Sequence, residues 1–345
     1  MSYKATITDI AKELNTTAAT VSRALSDHPG ISEHRKRSVQ LVAQRLNYKR
    51  NKIASSLRSG RTHMIGVIVP SAEINFFGSV VHGIESIANS NGYNVLIYQS
   101  NESYEQEVKG IETFLTARVD GILVSIAKNT VDFSHFTEVK KRGIPIAFFD
   151  RANDTLGIPS VVINDYSGAY HATEHLIKQG YKRIAHVAGP SHIKIFNDRL
   201  KGYEDALAAN HIKKDPSLVY RGNVSIESGK EAAAYFLGLA SPPDAVFAVE
   251  DFTALGLMKE IKERKLRIPE DFGIVGFANE LFGEHVTPAM STVDQQTVAM
   301  GKEAVTMIMK LIDATGKEKS MQEEKIVLDA IPVYRESSIK KHKKK

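Results

Sequence analysis

From Met64 onward, short apolar runs alternate with segments whose apolar residues recur every three or four positions. IGVIV (65–69), NVLIY (94–98), GILVSI (121–126) and PIAFF (145–149) are continuous rather than alternating, as strands of a parallel sheet covered on both faces must be. Val80, Val81, Ile84, Ile87 and Ala88 between the first two runs, and a segment near Glu105 to Ala117 after the second, carry helical spacing. The same alternation returns in SVVIND (160–165), RIAHVAG (183–189), AVFAVED (245–251) and GIVGFAN (273–279). Strand and helix in strict alternation predict an α/β fold, here two doubly wound parallel-sheet lobes of similar size. Open parallel sheets bind ligands at the carboxyl ends of their strands, so the cleft between the lobes is the expected ligand site.

The first 47 residues follow a different rule and predict an all-α module of three short helices. Ile7, Ile10, Ala11 and Leu14 share one helical face, and Thr6 and Asp9 are spaced as a capping box. Asn15 suits a left-handed turn, after which Val21, Ala24 and Leu25 form the apolar face of a second helix starting near Thr17. A third helix follows Pro29, Gly30 and the N-cap residue Ser32, burying Val39, Val42, Ala43 and Leu46. Two helices joined so tightly make a helix-turn-helix candidate, whose outer face presents Ala18, Ala19, Ser22 and Arg23. The Arg23 fork matches guanine O6 and N7.

Charge supports that division. Residues 1–62 hold 12 Lys and Arg against 4 Asp and Glu, while 63–339 hold 28 against 36. A basic head on an acidic body implies a polyanion for the head and another partner for the body. The KKHKKK tail, 340–345, reads as a solvated basic end. Residues 48–62, YKRNKIASSLRSGRT, form a basic linker with one short stripe of Ile53, Ala54 and Leu57, too short to stand as a free helix. Leu57, flanked by Arg58 and Arg61, suits an apolar wedge in the minor groove.

Several chemistries find no residues to carry them. The absence of cysteine excludes disulfides, thiolate nucleophiles and cysteine-ligated metal. Neither nucleotide-binding glycine loops nor hydrolase or metalloprotease motifs occur, and no cofactor or metal is expected. His171 and His175 stand four apart on one helix without a third ligand. The N-terminus carries no secretory signal and no apolar run approaches the ~20 residues of a membrane span, so a cytoplasmic protein is expected. Polar and aromatic residues at the strand ends are the candidate ligand contacts: Phe76 and Phe77, Asp150 and Arg151, Arg199 on a helix, Glu250 and Asp251, and Asn279. Carboxylates, an amide and a guanidinium engage vicinal hydroxyls in pairs, and rings stack on a sugar face, so a polyol or sugar fits the set. Asp and Asn at strand ends also serve as ordinary cap and turn residues.

ATITDIAKELNTTAATVSRAL (5–25) and ISEHRKRSVQLVAQRLNYKRNKIASSLRSGRTHMIGVIVP (31–70) closely resemble the N-terminal module, hinge and first body strand of the lactose repressor and galactose repressor family. The likeness continues in order through RVDGILVS, IPIAFFDR, RLKGY, PPDAVFAVED, IPEDFGIVGFANE and STVDQ. It implies a homodimeric regulator that binds a pseudo-palindromic double-stranded DNA operator, with a sensor core like a type I periplasmic sugar-binding protein. It further implies Thr17, Ala18, Ala19 and Arg23 in the major groove, a hinge helix over Asn51 to Arg58 including Ala54, Leu57 in the minor groove, and Phe77, Asp150, Arg199 and Asp251 in the effector pocket.

The implied domains are 1–50, the hinge 51–62, a two-lobed sensor 63–339 and the tail 340–345. One lobe is expected over 63–163 with 293–322, the other over 164–292 with 323–339. The chain departs from the family pattern at Arg50, where the hinge commonly has proline, at Glu250, where asparagine is usual, and at Ala278, where many members carry an acid. No leucine heptads follow Tyr334, so a dimer rather than a tetramer is implied. Three alternatives stay open at this point: a stand-alone sugar-binding protein, a sugar-modifying enzyme using Asp150 and Asp251 as its carboxylate pair, and a DNA-binding regulator controlled by a protein or nucleotide-type corepressor.

Overall fold

The computed structural model describes residues 5–48, 60–315 and 324–340, which divide into two compact units, 1–62 and 63–345. The smaller unit contains α1 (Ile7–Glu13), α2 (Ala18–Leu25) and α3 (Glu33–Arg45). Thr6 accepts from the Asp9 backbone N–H while the Asp9 carboxylate accepts from the Thr6 N–H, closing the expected capping box. Asn15 takes the left-handed conformation at φ 47° and turns the chain into α2, whose first turn Thr17 caps through the Thr20 N–H. Ile10, Val21 and Val39, one from each helix, are fully buried together with Ala11, Ala24, Val42 and Ala43. Hinge positions Asn51, Ala54, Leu57 and Arg58 lie outside the described residues.

The larger unit holds two parallel sheets. The first is built from β1 (Met64–Val69), β2 (Asn94–Gln99), β3 (Gly121–Val124), β4 (Ile146–Phe149), β5 (Ser160–Ile163) and β11 (Lys325–Leu328), in the order β11-β5-β4-β3-β1-β2. Helices α4 (Asn75–Ser90), α5 (Tyr104–Ala117), α6 (Ser134–Lys141) and α11 (Thr297–Ala314) cover it. The second sheet, in the order β7-β6-β8-β9, comprises β6 (Ile184–Ala188), β7 (Val219–Arg221), β8 (Ala245–Ala248) and β9 (Gly273–Val275). Its helices are α7 (Asp165–Lys178), α8 (Lys194–Ala209), α9 (Ile226–Leu237) and α10 (Asp251–Glu263). β10 (Thr292–Asp294) and β12 (Ile331–Val333) pair antiparallel beside it.

The chain therefore crosses between lobes after β5, after β10 and after β11. The last crossing corrects the expected boundary: 325–328 belong to the first lobe, not the second, because β11 pairs with β5 in the register Ile326↔Val161 and rests Ile326 and Leu328 against the first-lobe core. Hydrogen bonds lace the three crossings together, from the Asn164 N–H to the Leu328 carbonyl and from Gln296 Nε2 to the Asp329 carbonyl. β2 also departs from its reading as a covered strand: it is an edge strand, and Ile97 is 51% exposed. No helix among the described residues is long and apolar enough to cross a membrane.

Glycine governs the tightest helix contact of the first lobe. Gly83 on α4 and Gly301 on α11 face each other, and a Cβ on Gly301 would collide with the Val80 carbonyl oxygen. Backbone on both sides leaves no side chain to move aside. Gly301→Ala is expected to destabilise the larger unit by about 1–3 kcal/mol, read as a lower urea midpoint at unchanged slope.

Candidate ligand cavity and nucleic-acid surface

Segments of both lobes line a cavity of about 480 Å³. Phe76 and Phe77 enter from the first turn of α4, with their rings edge to face at 5.0 Å between centroids. Asp150 and Arg151 follow β4, where Asp150 sits at φ 59°, a left-handed conformation that turns its carboxyl group into the cavity. The loop after β3 adds Lys128. From the second lobe come Phe196 and Arg199 on α8, Glu250 and Phe252 at the start of α10, and Ala278 and Glu280 after β9.

Arg199 is 2% exposed and is held on every side. Its guanidinium donates to Asp165 Oδ1 at 2.8 Å and to the Val249 carbonyl at 2.7 Å, and it lies 3.7 Å above the Phe277 ring. Burial pushes Asp165 up to about 6, with Arg199 pulling against it. Across the cavity Arg151 donates to Glu102 at 2.8 Å. Burial raises Asp150 as well, opposed by Arg151 and Arg199.

Glu280 joins the lobes. Helix α4 starts at Ile74 without a side-chain cap of its own, and the Phe76 N–H donates to Glu280 Oε1 at 3.2 Å, 204 positions away in sequence. The carboxylate of one lobe thus caps a helix of the other, where its charge also complements the helix dipole. Burial raises the Glu280 carboxyl group, and the nearby Glu250 raises it further.

Six of the eight expected contacts line the cavity: Phe76, Phe77, Asp150, Arg151, Arg199 and Glu250. Asp251 and Asn279 do not line it. Neighbouring residues at the start of α10 point different ways. Glu250, the extended N-cap, turns back to accept from the Phe252 and Thr253 N–H groups, while Asp251 is fully buried behind the wall. Asp251 accepts from Thr292 Oγ1 at 2.7 Å and from the Glu280 N–H at 2.8 Å. Asn279 donates to Asp294 and accepts from Arg335, so its amide serves the crossing rather than the cavity. Asp251 is therefore buried behind the wall, while Asp150 lines the cavity.

The residue reading missed Phe196, Phe252, Glu280 and Gln295. Phe196 stands three positions before Arg199 on one helical face and was within reach of a spacing argument. Glu280 lies one residue beyond the strand-end Asn279, and Gln295 follows a strand of only three residues. His171 and His175 do not form a metal pair. His175 is stacked on Tyr334 at 3.7 Å and bonded to Ser338, and burial lowers it to about 4. No group of three metal-ligating side chains occurs among the described residues.

In the smaller unit Thr17, Ala18, Ala19 and Arg23 are exposed along the first two turns of α2, and Ser22 is half-buried. The exposed stripe lies opposite Val21 and Ala24, as a base-reading face requires.

Asp251 sets a pH signature. Its folded value of about 7, raised by burial and by Glu250 and Glu280, stands above its ordinary 3.8. A raised carboxyl group contributes its full stability below about pH 4 and loses it as pH climbs toward 7. Asp251→Asn is therefore expected to flatten the fall in stability between pH 4 and pH 7, read from denaturant midpoints across that range.

Comparison with known proteins agrees with this architecture. Residues 6–51 match "Bacterial regulatory proteins, lacI family", and residues 173–338 match "Periplasmic binding protein-like domain". The HTH-type transcriptional repressor CytR of Escherichia coli (strain K12) is 32% identical over 305 residues, 88% of this chain and 89% of its own. The crystal structure of the lac repressor dimer bound to operator and the anti-inducer ONPF shares the fold, with a TM-score of 0.85 over 98% of this chain and all of that one at 24% identity. A complex of the transcriptional regulator CelR with cellobiose is 26% identical, with a TM-score of 0.72 over 97% of this chain and all of that one. A basic three-helix head and a two-lobed sensor matching CytR over most of both lengths leave one assignment: the chain belongs to the lacI family of bacterial regulatory proteins.

Proposed function

We propose that this protein is a transcriptional repressor which binds a pseudo-palindromic operator as a homodimer in the cytoplasm and is controlled by a small hydroxylated effector held between its sensor lobes. The observation that carries the reading is the joining, in one chain, of an exposed α2 face from Thr17 to Arg23 with a cavity walled by two separate lobes. A ligand that contacts both walls prefers one lobe arrangement over another, and that differential affinity is what controls an operator-binding state. The cavity supports a carbohydrate-sized ligand: it pairs aromatic rings with carboxylates and guanidinium groups, and CelR, of the same fold, is solved with cellobiose. The exposed Ile97 on the edge strand β2 supports pairing of two sensors. Leu57 is assigned as the minor-groove wedge on its hinge position in the sequence.

Selection of genomic fragments by the full-length protein at near-physiological salt tests the reading. A few pseudo-palindromic sites are expected; flat recovery across sequences overturns sequence-specific regulation. Arg23→Ala is expected to cost about 1–3 kcal/mol on a selected site, relax preference at one base pair and leave nonspecific binding nearly intact, measured by titration on matched and substituted duplexes. Equal loss on all sequences would make Arg23 a phosphate contact.

A further inference from the structure

We propose that the effector is a hydroxylated amine, its ammonium group received by Glu250 and Glu280 of the second-lobe wall, with Asp150 on the first-lobe wall of the same cavity. The proposal rests on the effector-controlled reading above and names the chemistry of that effector. The cations around the cavity already have carboxylates of their own. Arg199 holds Asp165 at 2.7 Å, Arg151 holds Glu102 at 2.8 Å, and Lys128 Nζ lies 3.9 Å from the same Glu102. No cation lies within ion-pair distance of Glu250 or Glu280 among the described residues, and Asp150 has only the distant Arg151 Nε at 3.9 Å. Asp251 stands directly behind Glu250 and Glu280 and is raised by both, Glu280 is raised by Glu250, and the positive charge felt here is that of Arg199, already paired with Asp165 and acting on Glu250 without touching it.

An independent observation asks for a donor at the same place. Gln295 lines the cavity, is 3% exposed, and its buried Oε1 has no hydrogen-bond partner. Glu280 uses Oε1 on the Phe76 N–H, and no hydrogen bond reaches its second oxygen from the described residues. Acceptors left open beside like charges match a ligand rich in N–H and O–H groups and carrying positive charge, and they repel phosphate or carboxylate. Phe76, Phe77 and Phe196 supply ring faces for the apolar side of such a ligand, and for its cation. A cavity of about 480 Å³ admits a molecule the size of a hexosamine.

Melting of the full-length protein with three matched series tests this: hexosamines (glucosamine, galactosamine, mannosamine), the parent hexoses, and their 6-phosphates. At least one hexosamine is expected to raise the melting temperature by on the order of 5 °C when near-saturating, with smaller shifts from hexoses and none from phosphates. Glu280→Gln keeps an acceptor for the Phe76 N–H, and is expected to weaken hexosamine binding at least tenfold. Glu250→Gln is expected to do the same, so a folding failure in one variant leaves the other decisive. Stabilisation by a hexose or a phosphate equal to or above that by its hexosamine, or by no series at all, overturns the proposal. Recovery of operator fragments is read separately: fragments without an amine response sink the ammonium site alone, and an amine response without fragments sinks the repressor reading alone.

Discussion

The sensor unit is organised around one buried guanidinium. Arg199 reaches from α8 to Asp165 at the first crossing between lobes, to the Val249 carbonyl at the end of β8, and to the face of Phe277 beyond β9. A charge with 2% exposure persists only when its donors are matched, so the segments it touches cannot move independently. That constraint fixes the second-lobe wall of the cavity, and with it the height at which Glu250 and Phe252 face the ligand. The first-lobe wall has a looser counterpart in Arg151, bonded through one amino group to Glu102 while its Nε makes only a 3.9 Å ion pair with Asp150.

The two walls meet through unequal bonds. The crossings are tied by backbone and amide hydrogen bonds near Asn164, Gln296 and Asp329. Away from the crossings, two polar contacts span the opening, the charge-assisted Glu280 cap on α4 and the bond between His192 Nε2 and the Lys128 carbonyl. Tied crossings with only a few polar contacts across the opening are a construction that lets a small molecule bias the relative placement of two lobes. Ala278 lines the cavity without charge, and Glu280, two residues on, places the carboxylate of this loop where it touches α4.

Much of the fold was legible because its signals are local. The Thr6–Asp9 box, the left-handed Asn15 and the Ser32 cap each depend on atoms within three or four residues, and all three stand as the spacing implies. Continuous apolar runs located the strands for the same reason: a strand covered on both faces has no room for polar side chains. What the pattern misjudged was partnership. NVLIY reads like its neighbours yet lies at an edge, and 325–328 carries two inward apolar residues that fit either lobe until the pairing with β5 decides.

Residue by residue, the sequence determined which chemistry was present near the cavity: carboxylates at the ends of β4 and β8, aromatic rings at the start of α4, and an arginine on α8. Tertiary structure alone decided which of those groups the cavity receives. Glu250 and Asp251 are adjacent, and only the extended N-cap of α10 sends one back along its helix while Thr292 and the Glu280 N–H hold the other in the wall. Glu280 and Phe76 are 204 positions apart, and no sequence spacing encodes a bond that exists only when two lobes close over the same space. Local periodicity fixes element type because neighbours along the chain share it; side-chain direction at a cleft depends on partners that the crossings bring together from far away.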